Sequence, residues 1–268
     1  MPPAHVCAWL RSSHPLVFGH RGARGLAPEN TLAAFDRGVA EGADGLELDV
    51  RLSQDGVPVV IHDADLTRTA GLAVPVSTLT AAELARVDAG FHFAPAQGHP
   101  WRGKGLGVPT LGEVLRRYPV TPLIVDLKAN SEALAHAAVD EILRADAVTR
   151  VCLGSFGFGA LTAARRKAPQ LATGASQKEV AWALFRSRVR WPLTDARHHG
   201  YFVPERRKGL IIVTPRFVRD AHDAGLVVQV WAVNTEADVR RLLEWGVRGI
   251  LTDRPDITVP AVRAWSRR

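Results

Sequence analysis

The chain is short of sulfur and of long apolar runs. It has two cysteines, Cys7 and Cys152, and one methionine in 268 residues. Two thiols are too few for a disulfide framework, and their separation matches no zinc motif. No stretch approaches the roughly 20 apolar residues that a membrane-spanning helix needs. The residues up to Arg11 are too short and too interrupted for a secretory leader, so we expect a cytoplasmic protein.

Extreme composition is also lacking. Hydrophobic residues make up 47% and charged residues 23%, which is typical of one large globular domain spanning 1–268. The formal charge of +7 favours anionic partners, but it separates nucleic acid, membrane surfaces and small phosphates poorly. A basic, solvated surface explains this charge equally well. The aromatic-plus-basic signatures of common RNA and DNA modules are missing, so we expect no nucleic acid partner.

What the chain does contain is a regular alternation of short β-branched runs with helix-like segments. The predicted strands are 16–20, 45–50, 123–127, 151–154, 171–174, 210–213, 227–231 and 249–252. Strict alternation favours a parallel sheet, and eight units favour closure into a barrel. The predicted fold is therefore an α/β TIM barrel, with an open doubly wound sheet as the alternative.

Three segments depart from this alternation. Residues 57–62 are strand-like but follow the second strand after a short Asp55-Gly56 turn, which predicts an antiparallel hairpin. Residues 63–109 have weak periodicity and many Gly, Pro and His residues, and we expect a small inserted subdomain at the barrel mouth. Residues 177–207 form a second irregular piece. Within it, the Trp182–Trp191 stretch of Trp, Phe and Arg is more typical of a helix packed on the barrel than of a membrane-touching element.

Acidic side chains gather at two predicted strand ends. Glu47 and Asp49 are two residues apart on one strand and so share a face, and Asp126 and Lys128 repeat this spacing on the third strand. Functional groups of barrels lie at the carboxyl ends of the strands. Three carboxylates there would form an oxygen-rich site suited to a divalent metal, Mg²⁺ or Ca²⁺.

Two imidazoles accompany these carboxylates. His20 closes the first strand and His62 closes the hairpin return. A pair of histidines beside an acidic cluster favours a general acid and a general base. Arg21 and Lys128 supply positive charge for phosphoryl oxygens. A sugar-cleaving carboxylate pair is the competing barrel chemistry, but it explains neither the histidines nor the cations.

These motifs resemble the glycerophosphodiester phosphodiesterase family. The N-terminal ones are His20-Arg21-Gly22, Pro28-Glu29-Asn30-Thr31, Glu47-x-Asp49, Asp55-Gly56, Val59-Val60-Ile61-His62-Asp63 and Leu66-x-Arg68-Thr69. Ser155-Phe156, Trp231-Ala232-Val233-Asn234 and Thr252-Asp253-Arg254-Pro255 resemble its C-terminal half in the same order. The likeness extends from about residue 17 to residue 256.

The resemblance implies a TIM-barrel hydrolase that cleaves glycerophosphodiesters to glycerol 3-phosphate and an alcohol with a divalent metal. By the same resemblance, Glu47, Asp49 and Asp126 are metal ligands, and His20 and His62 are the acid/base pair. Arg21 and Lys128 hold the phosphate, and Trp231 lines the glycerol or acyl end. The chain departs from the family at Asp126, where the third ligand is commonly the longer Glu.

Other functions stay open on the sequence. The same site suits a lysophospholipase D or a sphingomyelinase D-like phosphodiesterase. Arginines alternating with aromatics from Trp182 to Trp191 also suit peripheral contact with anionic headgroups, which would make the substrate a lysophospholipid. A noncatalytic basic module is the alternative from another class, and it predicts that alanine at His20 leaves function intact. Two of these residues also have a purely structural alternative. Trp231 could pack in the core without contacting substrate, and Asn30 could cap a helix.

Overall fold

The structure, a computed structural model, describes residues 7–193 and 197–267. Residues 1–6 lie outside the described residues. They belong to the segment from which we expected no secretory leader. Residues 194–196 of the second irregular piece also lie outside them. In the described ranges, none of the helices combines the length and the hydropathy that a bilayer crossing requires.

Eight parallel strands of the described residues form the barrel. In chain order they are β1 Leu16–Gly19, β2 Gly45–Leu52, β3 Leu123–Leu127, β4 Val151–Gly154, β5 Ala172–Thr173, β6 Gly200–Pro204, β7 Val227–Trp231 and β8 Gly249–Thr252. The order around the sheet is 5-4-3-2-1-8-7-6, and its two ends meet in a parallel bridge between Gly174 and Gly200. The predicted TIM barrel is therefore confirmed. The alternative of an open sheet is wrong, because the two edge strands of an open sheet would not pair with each other.

The sixth barrel strand is not the predicted one. We expected it at 210–213, but Leu210–Ile211 pairs antiparallel with Arg206–Arg207 in a small hairpin outside the barrel. β6 lies ten residues earlier and pairs in parallel with β7 from Gly200 to Pro204. Leu210 and Ile211 are more apolar than their neighbours, but both are exposed. Hydrophobicity alone therefore selected the wrong run.

Helices cover the outside of the barrel. Their bounds are Leu32–Ala40, Thr67–Ala70, Ala81–Leu84, Leu111–Arg117, Glu132–Arg144, Phe158–Lys167, Gln177–Arg188, Pro215–Asp223, Glu236–Glu244 and Pro255–Trp265, with 3-10 turns at Ala8–Arg11, Val76–Thr78 and Pro95–Gln97. The predicted capping box of Thr110 with Glu113 is present. Ser176 and Glu179 form another one, at the start of the helix Gln177–Arg188. The helix favoured for the Trp182–Trp191 stretch is therefore present as far as Arg188, whereas the expectation of an irregular piece from residue 177 is wrong.

The hairpin after β2 forms as expected. Pro58–Val60 pairs antiparallel with β2, with Val50 opposite Val60. Residues 63–109 follow with two short strands, Asp65–Leu66 and Leu72–Pro75. They share a small apolar cluster with the hairpin. The placement of this segment over the barrel mouth stays a prediction, as does the single-domain organisation.

The core divides into layers by strand alternation. Leu46, Leu48 and Val50 of β2 point outward into a large cluster under the helices, whereas Glu47 and Asp49 point into the barrel. At the amino end of the strands, Trp9 closes the barrel: its ring packs 5.0 Å from Phe18, and its Nε1 donates to Arg150 O. With this end packed, the polar groups gather at the carboxyl end.

Candidate active site

A cavity of about 500 Å³ opens at the carboxyl end of the barrel strands. Of the eight predicted site residues, the seven that line it are His20, Arg21, Glu47, His62, Asp126, Lys128 and Trp231. The eighth, Asp49, lies beneath them with no solvent exposure. The structure therefore brings together groups that are up to 211 positions apart in the chain.

Strand register places the carboxylates. Asp49 of β2 is the direct parallel partner of Asp126 of β3. Glu47 lies two residues before Asp49 on β2, so its side chain points to the same face. Side chains at paired positions of parallel strands point to the same face. All three acids therefore face the inside of the barrel at its carboxyl end.

Asp49 is the most enclosed of these acids. Lys128 Nζ lies 2.7 Å from its Oδ1, and Arg21 Nε lies 3.2 Å from its Oδ2. Asn30 Nδ2 also donates to Oδ2, at 2.8 Å. Burial acts to raise the pKa of Asp49, but the positive charges of Lys128 and Arg21 outweigh it and hold the pKa below its ordinary value. Asp49 is therefore ionised at neutral pH.

Glu47 has fewer cationic partners. Its Oε2 accepts from the Arg21 backbone N–H at 2.9 Å and lies 3.8 Å from His20 Nε2. Burial and the negative charge of Asp49 raise the pKa of Glu47 above its ordinary value, more than the charges of His20 and Lys128 lower it. This carboxyl therefore holds a proton more readily than an ordinary glutamate does.

Lys128 bridges two of the acids. Its Nζ lies 2.5 Å from Asp126 Oδ2 as well as close to Asp49. Burial acts to lower the pKa of Lys128, but Asp126 and Asp49 raise it above its ordinary value. Lys128 is therefore a fixed positive charge at the wall of the cavity.

Glu47 and Asp49 offer a divalent cation two carboxylates on one face of β2. Among the described residues, no group of three or more His, Cys, Asp or Glu side chains is arranged to hold a metal ion. Asp126 shares its carboxylate with Lys128. Asp49 also contacts Lys128 and Arg21, whereas Glu47 has no Lys or Arg side-chain partner among the described residues. Glu47 and Asp49 are buried oxygen donors on one face, which is the donor chemistry that a hard divalent cation requires.

His20 is held by a carboxylate that sequence reasoning did not select. Its Nδ1 lies 2.6 Å from Asp253 Oδ1. Asn234 Nδ2 donates to Asp253 Oδ2 at 3.1 Å, and Arg24 Nε lies 2.9 Å from Oδ1. Burial acts to raise the pKa of Asp253, but His20 and Arg24 lower it below its ordinary value. The contact orients the ring so that Nε2 points toward Glu47 and the cavity.

His62 has a matching partner. Its Nδ1 lies 2.7 Å from Asp63 Oδ1, and Arg68 Nε donates to Asp63 Oδ2 at 2.6 Å. Burial lowers the pKa of His62 below its ordinary value, although Asp49 and Asp63 act to raise it. Arg68 also binds Glu29, which in turn accepts from Arg21. The hairpin is thus tied to the first loop of the barrel by ion pairs.

Trp231 stands between the polar and the apolar parts of the cavity. Its ring stacks against His20 with centroids 6.4 Å apart and meets Phe156 edge-on at 6.3 Å. Its Nε1 donates to Phe202 O. Trp231 is half-buried: it lines the cavity and also packs against the buried cluster of Phe18, Ile124 and Leu251, so its role in substrate binding stays a prediction.

Sequence reasoning missed four positioning residues, which are Glu29, Asn30, Asn234 and Asp253. All four lie in motifs that carried the resemblance, but their spacing did not mark them as metal ligands or as an acid/base pair. Thr31, not Asn30, caps the helix Leu32–Ala40, which frees Asn30 to hold Asp49. For Asp253, the signal was its position directly after β8.

The chain matches known proteins over most of its length. The model of the glycerophosphoryl diester phosphodiesterase family matches residues 20–257. A glycerophosphodiester phosphodiesterase of Caldanaerobacter subterraneus subsp. tengcongensis is 31% identical over 253 residues, 92% of this chain and 98% of that protein. A lysophospholipase D of Mus musculus is 27% identical over 260 residues, 88% of this chain and 78% of that protein.

Solved structures agree with this match. A phosphodiesterase of Oleispira antarctica in complex with the product sn-glycerol-3-phosphate has a TM-score of 0.76 and 27% identity, and the alignment covers 95% of this chain and 99% of that one. The region matched by the family model contains all eight predicted site residues.

Proposed function

Because the chain belongs to the glycerophosphoryl diester phosphodiesterase family and is a phosphoric diester hydrolase, we propose that it hydrolyses glycerophosphodiesters to glycerol 3-phosphate and an alcohol. The observation that carries the proposal is the single cavity lined by His20, His62, Glu47 and Lys128. Cleavage of a phosphodiester needs groups that transfer protons and positive charge that binds the phosphate. The two imidazoles and the acidic cluster with its cations supply both in one cavity.

His20 and His62 are the proposed acid/base pair. Each Nδ1 contacts a carboxylate, of Asp253 and Asp63 respectively, so each Nε2 is left to exchange protons with the substrate. One imidazole removes the proton from the attacking hydroxyl, either the neighbouring glycerol hydroxyl or water. The other gives a proton to the departing alcohol oxygen. Attack by water gives glycerol 3-phosphate directly, whereas attack by the glycerol hydroxyl gives a cyclic glycerophosphate, which water then opens to glycerol 3-phosphate. Proton transfer of this kind contributes about 10²–10⁴-fold.

The remaining predicted residues bind the substrate. Arg21 and Lys128 offset the negative charge that grows on the phosphoryl oxygens, since both are charged and face the cavity. Trp231 lies against His20 and would contact the glycerol or acyl end. Lys128 is held in place by Asp49 and Asp126, so it needs no reorganisation when the phosphate enters.

A divalent metal, Mg²⁺ or Ca²⁺, completes the proposal. We assign it to Glu47 and Asp49, with Asp126 as the third ligand. When bound, it would act as a Lewis acid toward the phosphoryl oxygen. Its charge would also compensate the buried carboxylate of Glu47, which supports this assignment.

A substrate panel tests the function. Glycerophosphocholine, glycerophosphoethanolamine, glycerophosphoinositol and lysophosphatidylcholine are each incubated with Mg²⁺, Ca²⁺ or EDTA, and glycerol 3-phosphate or its lysophosphatidic analogue is measured. We expect metal-dependent hydrolysis of at least one. No hydrolysis of any of them contradicts the function. Activity that survives both EDTA and His62→Ala contradicts the mechanism.

A second candidate function is lysophospholipase D, with a sphingomyelinase D-like activity as its variant. The observation that favours it is the apolar wall of the cavity, to which Val180, Leu184, Phe202 and Ile212 contribute. A deacylated headgroup has no use for such a wall, whereas an acyl chain does. Preferential cleavage of lysophosphatidylcholine over glycerophosphocholine in the panel would select this candidate.

A further inference from the structure

Three large aromatic side chains are exposed beside the cavity wall. Trp182 and Phe185 lie on the helix Gln177–Arg188 and Trp191 follows it, with exposed fractions of 54%, 47% and 55%. Trp182 and Phe185 stack with ring centroids 5.5 Å apart, and Phe185 meets Trp191 edge-on at 6.2 Å. Three exposed rings in mutual contact form a connected apolar surface, which is typical of a docking site.

The hairpin of residues 206–211 extends this surface. Leu210 and Ile211 are both exposed, and Arg188 Nη2 donates to Ile211 O at 3.5 Å, which joins the helix to the hairpin. We call Trp182, Phe185, Trp191, Leu210 and Ile211 the aromatic patch.

Positive charge surrounds the patch. Arg188, Arg207 and Lys208 line the cavity on the same side, and the Arg207 guanidinium lies 4.6 Å from the centroid of the Phe156 ring. In the part of the chain that the structure describes, none of these three cations forms an ion pair with a carboxylate. Their charge is therefore available to an anionic partner.

The helix Gln177–Arg188 joins the patch to the cavity. Its residues Gln177, Ala181, Leu184 and Arg188 line the cavity, at the three- and four-residue spacing of one helix face. Trp182 and Phe185 lie on the neighbouring face and point to solvent. A surface bound to the aromatic rings would therefore lie beside the entrance of the cavity.

We propose that the aromatic patch and its rim of cations dock the protein on an anionic lipid bilayer. Tryptophan rings are favoured at the boundary between headgroups and acyl chains, and arginines bind anionic headgroups. A second copy of this chain fits less well, because a symmetric contact would bring the same uncompensated cations face to face. The entry of lipid phosphodiesters from this side rests on the function proposed above, but the docking does not.

Vesicle flotation tests the docking on the full chain without reference to activity. The probes are vesicles of phosphatidylcholine alone and vesicles of equimolar phosphatidylcholine and phosphatidylglycerol. We expect flotation with the anionic vesicles only. Trp182→Ala/Trp191→Ala should weaken this binding about tenfold or more, because two exposed rings leave the interface. No flotation of the wild-type protein with anionic vesicles overturns the proposal.

Charge variants separate headgroup binding from the total charge of the protein. Arg207→Gln/Lys208→Gln should weaken anionic vesicle binding about fivefold for each charge removed. The matched control is Arg144→Gln/Arg166→Gln, which removes two exposed cations from other helices and should bind as the wild type does. Equal losses in both variants overturn the assignment to this surface.

Two further measurements distinguish the outcomes. Trp182→Ala/Trp191→Ala should hydrolyse soluble glycerophosphodiesters at the wild-type rate, since neither ring lines the cavity, and should lose turnover only on lipid in anionic vesicles. Loss of both activities in a folded variant overturns the docking role. Light scattering after gel filtration reports a second copy: a dimer that the double variant dissociates would assign the patch to self-association and overturn the proposal. Absence of any hydrolysis with intact flotation would contradict only the proposed function.

Discussion

His20 Nδ1 lies 2.6 Å from Asp253 Oδ1, and Asp253 is itself held by Asn234 and Arg24. The two residues are separated by 233 positions but are neighbours because β1 and β8 pair in parallel, with Gly19 opposite Thr252. A carboxylate on Nδ1 fixes the orientation of the imidazole and selects one tautomer. The ring is therefore oriented with Nε2 toward Glu47 and the cavity.

Asp253→Asn should lower kcat by about 10²–10⁴-fold with little change in KM, because the ring loses its orientation and tautomer while the phosphate contacts remain. The pH profile of kcat should move with it, which a merely structural role would not cause. Steady-state kinetics over a pH series measures both. Asp256→Asn is the control, since that acid pairs only with Arg254 near the surface in the described residues and should leave kcat unchanged.

His20→Gln and His62→Gln should each reduce hydrolysis of glycerophosphocholine by at least about 10²-fold. A p-nitrophenyl phosphodiester separates their roles, because its leaving group needs no proton. The variant that lacks the general acid should regain most of its activity on this substrate, and the variant that lacks the base should not. His14→Gln is the control on an exposed histidine. Equal losses on both substrates would argue against an acid/base division between the two residues.

Glu47→Gln should remove metal binding without destabilising the metal-free protein, because the wild-type carboxylate is buried beside Asp49. Thermal melts with EDTA and with Mg²⁺ measure this. The wild type should gain about 2.7 kcal/mol of stability at a metal concentration a hundredfold above Kd, and the variant should gain none. Glu244→Gln on the surface should retain the gain. A variant that is stabilised by Mg²⁺ as strongly as the wild type would rule out Glu47 as a ligand.

Glu179 should make stability depend on acid pH. Arg165 binds it through two nitrogens, and Ser176 N donates to it at 2.7 Å. Burial acts to raise the pKa of Glu179, but His198, Arg165 and Ser176 lower it below its ordinary value. The lowered folded pKa means that this stability is present above the unfolded pKa, near 4.3, and is lost as pH falls below it.

Glu179→Gln should therefore cost about 1–3 kcal/mol of unfolding free energy at pH 7 and flatten the decline of stability on the acid side. Urea unfolding at several pH values measures both effects. Glu236→Gln, an exposed acid, serves as the control. An unchanged slope below pH 4.5 in Glu179→Gln would show that this carboxylate does not link folding to protons.

The interior of the barrel and its acidic strand ends could be read from the chain. Glu47 and Asp49 share a face because strand side chains alternate, and Asp126 joins them once β2 and β3 pair. The Asp55-Gly56 turn predicts a hairpin because its chemistry is local, and that hairpin is present. Local periodicity and turn chemistry therefore determined the barrel and seven of its eight strands.

The sixth strand could not be read in this way. Gly200–Pro204 is buried between β7 and the end of β5, whereas the more apolar Leu210 and Ile211 remain exposed. Whether an apolar segment becomes a barrel strand depends on which neighbouring strands pair with it. That pairing is set by the closed sheet and not by the segment's own sequence. In the same region the sequence favours a helix for the Trp182–Trp191 stretch, but the start at Gln177, which the Ser176–Glu179 capping box marks, was not predicted.

By itself, the sequence determined the fold class and the places of the acidic residues at strand ends, because each of these follows from local spacing. Only the tertiary structure decided which groups compensate one another. Asp253 contacts His20, Asn30 contacts Asp49, and Lys128 contacts Asp49 only when the strands close into one barrel. Electrostatic pairing depends on distances in space, and no pattern along the chain specifies those distances.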